Sequence, residues 1–319
     1  MPVVDVHTHM YPPSYLSILR SRSSVPMVRE FPPDPISRLI ILPGEDETST
    51  TARGRPIGPE YSDIDAKIAF MDFHGINISV ISLANPWVDF VSGVDAAELA
   101  GQVNDELNGL CGKYPGRLFA FGSLPLKATA DLSVAEVQRL HKLKFMRGVI
   151  MGSGGMGQGL DDRKLDPIWK ELEDTQQMVF IHPHYGLPKE LYGPRAEEEY
   201  GHVLPLALGF PMETTIAVTR MILGGVFERF PRLKVLLAHS GGTLPFLAGR
   251  IESCIAHDAH LASLGKSGMG KVTNALEKNI WLDAVIYGEL GIKAAVEVSG
   301  WDRVMFGKIP SVKSFVTRI

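Results

Sequence analysis

A (β/α)8 barrel is the fold this sequence predicts, on three observations. From about residue 64, short β-branched runs alternate with longer amphipathic stretches, and with an earlier run at the N-terminus they make eight strand candidates. Several runs, such as Val80-Ile81-Ser82-Leu83 and Val235-Leu236-Leu237-Ala238-His239, are nearly all apolar until a polar residue at their C-terminal ends. Strands buried on both faces look like this, and in a closed barrel the reacting groups sit at those ends. No Gly-x-Gly-x-x-Gly turn follows the first strand, which counts against an open doubly wound sheet.

The strands are placed at Val3–His7, Ile76–Leu83, Leu118–Leu124, Gly148–Met151, Met178–His182, Lys234–His239, Ile280–Asp283 and Arg303–Phe306. Helical spacing of apolar residues falls at Ile64–His74, Asp95–Lys113, Ser133–Leu143, Pro167–Thr175, Glu213–Phe230, Leu244–His257 and Glu289–Val298. Two regions break the repeat. Residues 10–62 are a Pro-, Ser- and Arg-rich excursion, too long for a passive connection and expected to lie over the mouth as a lid. After the eighth strand only Gly307–Ile319 remains, so the barrel domain is taken as 1–307 with an atypical tail at 308–319, an incomplete C-terminal end.

Composition narrows the class. At 319 residues, 45% hydrophobic and 21% charged, the chain is globular rather than disordered. A net charge of -4 with scattered Lys and Arg leaves no footprint for nucleic acid. No apolar run approaches the roughly 18 residues of a membrane span, and the N-terminus lacks the pattern of a signal peptide. Cys111 and Cys254 are too few for a disulfide framework and are expected to be buried thiols in a reducing cytosol.

The strongest chemical signal is Asp5-Val6-His7-Thr8-His9 at the end of the first strand. Residues i and i+2 of a strand share a face, so both imidazoles point to one place inside a barrel. Neutral imidazoles so placed suit zinc, though other divalent metals fit the same donors. A third ligand is expected from Phe180-Ile181-His182-Pro183-His184, with His182 the better placed because it directly follows the apolar run. His239, flanked by Ser240-Gly241-Gly242, reads as an acid/base or orienting group. His74, His141, His202, His257 and His260 fall in helices or loops and read as surface residues.

A strand-end His-x-His, a fifth-strand His and a sixth-strand Ala-His-x-Gly-Gly resemble the amidohydrolase superfamily. The stretch Gly209–Pro231, with Leu233–His239 and Pro245–Arg250, resembles its aminocarboxymuconate-semialdehyde decarboxylase family. The resemblance covers residues 1 to about 307 and implies a metal-dependent, non-oxidative decarboxylase, a homodimer, with no organic cofactor. The His182-Pro183-His184-Tyr185-Gly186-Leu187-Pro188 run is most similar to the fungal members that act on uracil-5-carboxylate. That similarity implies Arg55, Asn85 and Arg250 as residues holding the pyrimidine and its carboxylate. Asn85 can offer a donor and an acceptor to a ring edge, and Arg55 can fork onto a carboxylate. A structural ion pair with Glu252 is the rival use for Arg250, and a solvated loop charge the rival for Arg55.

One departure from the family pattern is sharp. A Gly-Thr-Asp is expected after the eighth strand, its Asp serving as metal ligand and proton donor, but Gly307 is followed by Lys308 and Ile309. Isoleucine can do neither job. Gly-Lys can be encoded with an intron-like GTAAG, so the tail is expected to be translated intron and this form a poor or inactive catalyst. Asp283 is the candidate for a substitute acid. Metal-assisted hydrolysis of a lactone or amide is the alternative reaction.

Overall fold

The computed structural model describes residues 2–47, 53–264 and 271–307. In chain order its strands are β1 (Val4–His9), β2 (Met27–Arg29), β3 (Arg38–Ile40), β4 (Arg55–Pro56), β5 (Ile78–Ser82), β6 (Leu118–Ser123), β7 (Met146–Gly152), β8 (Met178–His182), β9 (Lys234–Leu237), β10 (Ile280–Asp283) and β11 (Val304–Met305). Eight of them form one sheet in the order β1-β5-β6-β7-β8-β9-β10-β11. All neighbours in it are parallel. The Val6 amide donates to the Phe306 carbonyl at 3.0 Å, which returns the last strand to the first and nearly closes the barrel. This is the (β/α)8 architecture that the alternating pattern predicts.

The helices owe their positions to local signals. Helix Gly93–Lys113 buries Ala96, Leu99, Ala100, Val103, Leu107 and Leu110, a stripe at three- and four-residue spacing that packs on the sheet. Asp63 caps helix Ile64–Phe73 by accepting from the amides of Asp65 at 2.8 Å and Ala66 at 3.4 Å. The expected helix Glu213–Phe230 is instead two, Phe210–Leu223 and Val226–Arg229, because Gly225 takes a left-handed φ of 68°. The first of these extends back through a π-turn, so Pro205–Leu223 is long and apolar enough to cross a membrane by length and composition. Half of that stretch is buried inside the fold, as in an ordinary barrel helix. No single apolar run in the sequence reveals it, because polar residues interrupt the stretch.

The excursion after β1 has structure of its own. It holds helix Pro13–Ser21, a small antiparallel sheet β2-β3-β4 and a short helix Pro59–Ser62. Strands of two or three residues carry too little periodicity to be read from sequence. A second correction concerns the thiols: Cys111 is buried, but Cys254 is exposed on helix Leu244–His257. The tail from Lys308, and with it the expectation for Ile309, lies outside the described residues.

The chain leaves β9 through a left-handed turn, with φ of 55° at His239, 52° at Ser240, 71° at Gly241 and 67° at Gly242. A Cβ at Gly242 would lie 2.0 Å from the Pro211 carbonyl oxygen, so only glycine fits there. Gly242→Ala is expected to destabilise the fold by about 2–4 kcal/mol, strain and overpacking together. Gly249, on helix Leu244–His257, is the control, because a Cβ there would meet nothing within 4 Å. Gly249→Ala should raise stability by about 0.5–1 kcal/mol. Urea unfolding midpoints of the two variants check both signs.

Candidate active site and metal centre

Four buried or half-buried imidazoles meet at the C-terminal mouth of the barrel. His7 and His9 come from β1, with ring centres 5.1 Å apart. His182 ends β8, and its ring lies 5.3 Å from His7 and 5.1 Å from His9. His239, in the turn after β9, lies 5.2 Å from His7 and 5.3 Å from His182. Ring nitrogens of His7, His182 and His239 all fall within 4.8 Å of one another. The structure thus brings the expected ligands together and sets His239 as close to them as they are to each other.

Hydrogen bonds behind the rings decide which nitrogen faces inward. His182 Nδ1 lies 2.7 Å from the Pro183 carbonyl, which only accepts, so Nδ1 carries the proton and Nε2 its lone pair. The Ser82 hydroxyl donates to the Thr8 carbonyl, which leaves its oxygen to accept from His9 Nδ1 at 3.0 Å. His7 Nδ1 donates to Asp283 at 2.5 Å. Each of these three rings is therefore held by Nδ1 with Nε2 left as a potential ligand, the arrangement found behind metal-bound histidines. His7 Nε2 and His239 Nδ1 are buried without a hydrogen-bond partner. A divalent cation fits the donor set of His7, His9 and His182 and would satisfy His7 Nε2, leaving His239 Nδ1 facing the same space.

Burial also keeps three of the four imidazoles, those of His9, His182 and His239, neutral. It pushes His9 and His182 well below the usual histidine range, and repulsion from the neighbouring imidazoles adds to it. His239 is driven down to about 4 by burial and by His7, with Asp283 pulling the other way. Burial alone would raise the Asp283 carboxyl. The attraction of His7, the hydrogen bond to it, His239 and the Ser240 amide outweigh that and hold it below the usual carboxylate range. Asp283 accepts from His7 Nδ1 and from the amides of His239 at 3.0 Å and of Ser240 and Val285 at 2.9 Å. Both its oxygens are committed. It holds His7 and the turn of His239 in place, with no oxygen left unpaired.

Of the three expected substrate residues, two sit beside the cluster. Arg55 on β4 donates to Asn85 Oδ1 at 2.5 Å and lies 5.5 Å from the centre of the Phe210 ring. Asn85 is fully buried and also donates to the His184 carbonyl, so part of its capacity goes to holding Arg55 and the loop after β8. Arg250 is on the exposed face of helix Leu244–His257 and is not brought to the cluster within this chain. Glu252, its expected rival partner, instead accepts from Thr273. His184 stays out of the cluster, stacked on Tyr185 at 3.9 Å and on Trp87 at 4.8 Å. His141, His257 and His260 are exposed and His74 half-buried, all apart from the cluster, while His202 is half-buried on the wall of the cavity beside Phe210.

Phe210 was not legible as a site residue, since it reads as one more apolar position at a helix start. Its ring lies 6.3 Å from His182 and 6.2 Å from His239. It also lines a cavity of about 570 Å³ together with Arg55, Tyr185, Leu187, Tyr192 and Leu206. That volume is in the range of small-molecule sites.

The neutral cluster has a consequence for stability. Imidazoles held below their ordinary value near 6.5 stay unprotonated in the folded chain while the unfolded chain takes up protons. With chelator present, stability should therefore be highest above pH 7 and fall as the pH drops through about 6.5. Each of His9, His182 and His239 should cost on the order of 1 kcal/mol per pH unit below that point. Urea titrations at pH 7.5 and 5.5 measure it, and equal midpoints would contradict a neutral buried cluster.

Residues 4–307 match the family model described as Amidohydrolase. The chain is 32% identical over 259 residues to 2-amino-3-carboxymuconate-6-semialdehyde decarboxylase of Dictyostelium discoideum, covering 79% of this chain and 68% of that protein. It is 31% identical over 195 residues to gamma-resorcylate decarboxylase of Rhizobium sp. (strain MTP-10005), covering 59% of this chain and 58% of that one. Among solved structures, IDCase of Metarhizium anisopliae superposes with a TM-score of 0.91 at 55% identity, over 96% of this chain and 83% of that one. The chain belongs to the amidohydrolase family, in the group of the aminocarboxymuconate-semialdehyde decarboxylases.

Proposed function

We propose that this chain is a metal-dependent, non-oxidative carboxy-lyase that converts uracil-5-carboxylate to uracil and carbon dioxide, with zinc as its metal. The observation that carries the reading is the neutral imidazole cluster set beside an arginine–amide pair. The 55% identity to IDCase, an isoorotate decarboxylase, supports the choice of substrate. His7, His9 and His182 would hold the metal, and their all-nitrogen donor set suits zinc. When bound, the cation supplies Lewis-acid stabilisation of negative charge on substrate oxygens.

The protein's own groups do the rest. Arg55 offers a planar fork for a carboxylate, and Asn85 fixes its direction. The Phe210 ring and the buried Trp87 keep water from the reacting face. A proton must be added at the ring carbon that bears the carboxylate, and the electrons of the broken carbon–carbon bond remain with the ring as carbon dioxide leaves. No oxidant or reductant enters this balance. With Asp283 committed to His7 and backbone amides, His239 is the group left to relay that proton, giving it up from one ring nitrogen while the other takes one up from solvent.

Carbon dioxide release from uracil-5-carboxylate by the zinc-loaded chain is the direct test. No release, together with opening of a lactone, would establish the hydrolase alternative instead. His239→Asn is expected to lower kcat by about 10²–10⁴-fold with a smaller change in KM. Asn85→Leu should weaken binding of the acid by roughly 1–3 kcal/mol, because it leaves Arg55 unheld and the His184 carbonyl without its donor. Since the expected acid after Gly307 is replaced in this chain, turnover should be slow. The double change Lys308→Thr with Ile309→Asp should raise kcat, and an unchanged rate would show that the acid is not needed.

A further inference from the structure

The loop that leaves β8 is held from below by one carboxylate. Glu213, in the first turn of helix Phe210–Leu223, accepts from the His184 amide at 2.7 Å through Oε1 and from the Gly186 amide at 2.5 Å through Oε2. The Tyr185 amide between them bonds to the same carboxylate, and the Ser153 hydroxyl donates to Oε1. Ser153 in turn donates its own amide to the His182 carbonyl at 3.1 Å.

A peptide unit is planar, so fixing its N–H also fixes its C=O. The His184 amide belongs to the same plane as the Pro183 carbonyl, and that carbonyl holds His182 Nδ1 at 2.7 Å. The Tyr185 amide shares a plane with the His184 carbonyl, which accepts from Asn85 and so connects to Arg55. Two successive peptide planes thus run from Glu213 to a candidate metal ligand on one side and to the candidate carboxylate-binding pair on the other. We propose that Glu213 is a positioning residue that sets the His182 ring and the Asn85–Arg55 pair together, through the backbone of the loop after β8.

This inference rests on the metal-dependent reading above, so its test includes a readout that needs no substrate. Zinc affinity is measured by competition with a chromophoric chelator for the full chain and for Glu213→Gln, Glu213→Asp and Thr214→Val. Kinetics with uracil-5-carboxylate are recorded beside it. Thr214, buried next to Glu213 with its hydroxyl unpartnered, is the structural control. Glu213→Gln keeps the shape but replaces one acceptor with a donor that faces an N–H. Its zinc affinity should fall by about 10- to 100-fold, as for other residues that orient metal ligands. KM should rise several-fold as well, while Thr214→Val leaves both unchanged. Glu213→Asp, which keeps both acceptor oxygens, should recover part of each loss. Zinc affinity and KM of Glu213→Gln equal to those of the unaltered chain would overturn the proposal. If Glu213→Gln fails to fold, Glu213→Asp decides in its place, and zinc affinity of that variant equal to that of Thr214→Val overturns the proposal. Failure of the zinc-loaded chain to bind the pyrimidine acid sinks the substrate reading alone, whereas an unaltered chain that takes up no zinc sinks the metal reading and this inference with it.

Discussion

The Asp283 carboxylate is the constraint on which the rest of the site depends. It is fully buried, and an ionised carboxylate there is tolerable only if its lone pairs are occupied. Donors come from β1 through His7, from the turn after β9 through two amides, and from the residue two positions along its own chain. These bonds do three things at once. They tie the first strand to the sixth and seventh at the mouth, fix the His7 tautomer, and stabilise a left-handed turn that ordinary side chains resist. His239 reaches the cluster only because that turn holds. A negative charge among neutral imidazoles also makes the cavity a better host for a cation.

Much of the architecture was legible because barrel strands are buried on both faces. Apolar runs, several of them ending in a polar residue, located each of the eight to within a few positions. The two-residue period of β1 made His7 and His9 legible as partners, and the position of His182 after its apolar run made it their neighbour. What failed was anything that depends on distant pairing. Nothing near Asp283 in sequence reveals that it faces His7, 276 positions away. Glu213 looked like an ordinary acid in a first helical turn, a place where carboxylates are common for reasons of helix polarity. Apolar spacing continues on both sides of the Gly224-Gly225 pair, which is why two helices read as one. Arg250 was assigned by resemblance, and no local signal in the sequence says which way a residue in mid-helix must point.

The structure divides its labour by element. Strand ends and the turn after β9 supply the imidazoles and the carboxylate that orients them. Arg55 comes from the excursion after β1, and Phe210 and Glu213 from the start of the helix after β8. Those elements decide what kind of ring can approach. Chemistry on strands with selectivity on loops is how one barrel frame serves many reactions.

The same layout governs how the molecule is assembled. Residues 7, 9, 182, 239 and 283 are scattered over most of the chain, so no early fragment owns even a partial site beyond the first two imidazoles. Contacts of such long sequence separation form late, because a large loop must close before any of them is gained. A growing chain on the ribosome therefore displays His7 and His9 long before it can add His182, the third candidate ligand. Tight ion capture would belong to the finished barrel, since a nascent chain that took up metal early would hold it with two of the three candidate ligands and no supporting carboxylate.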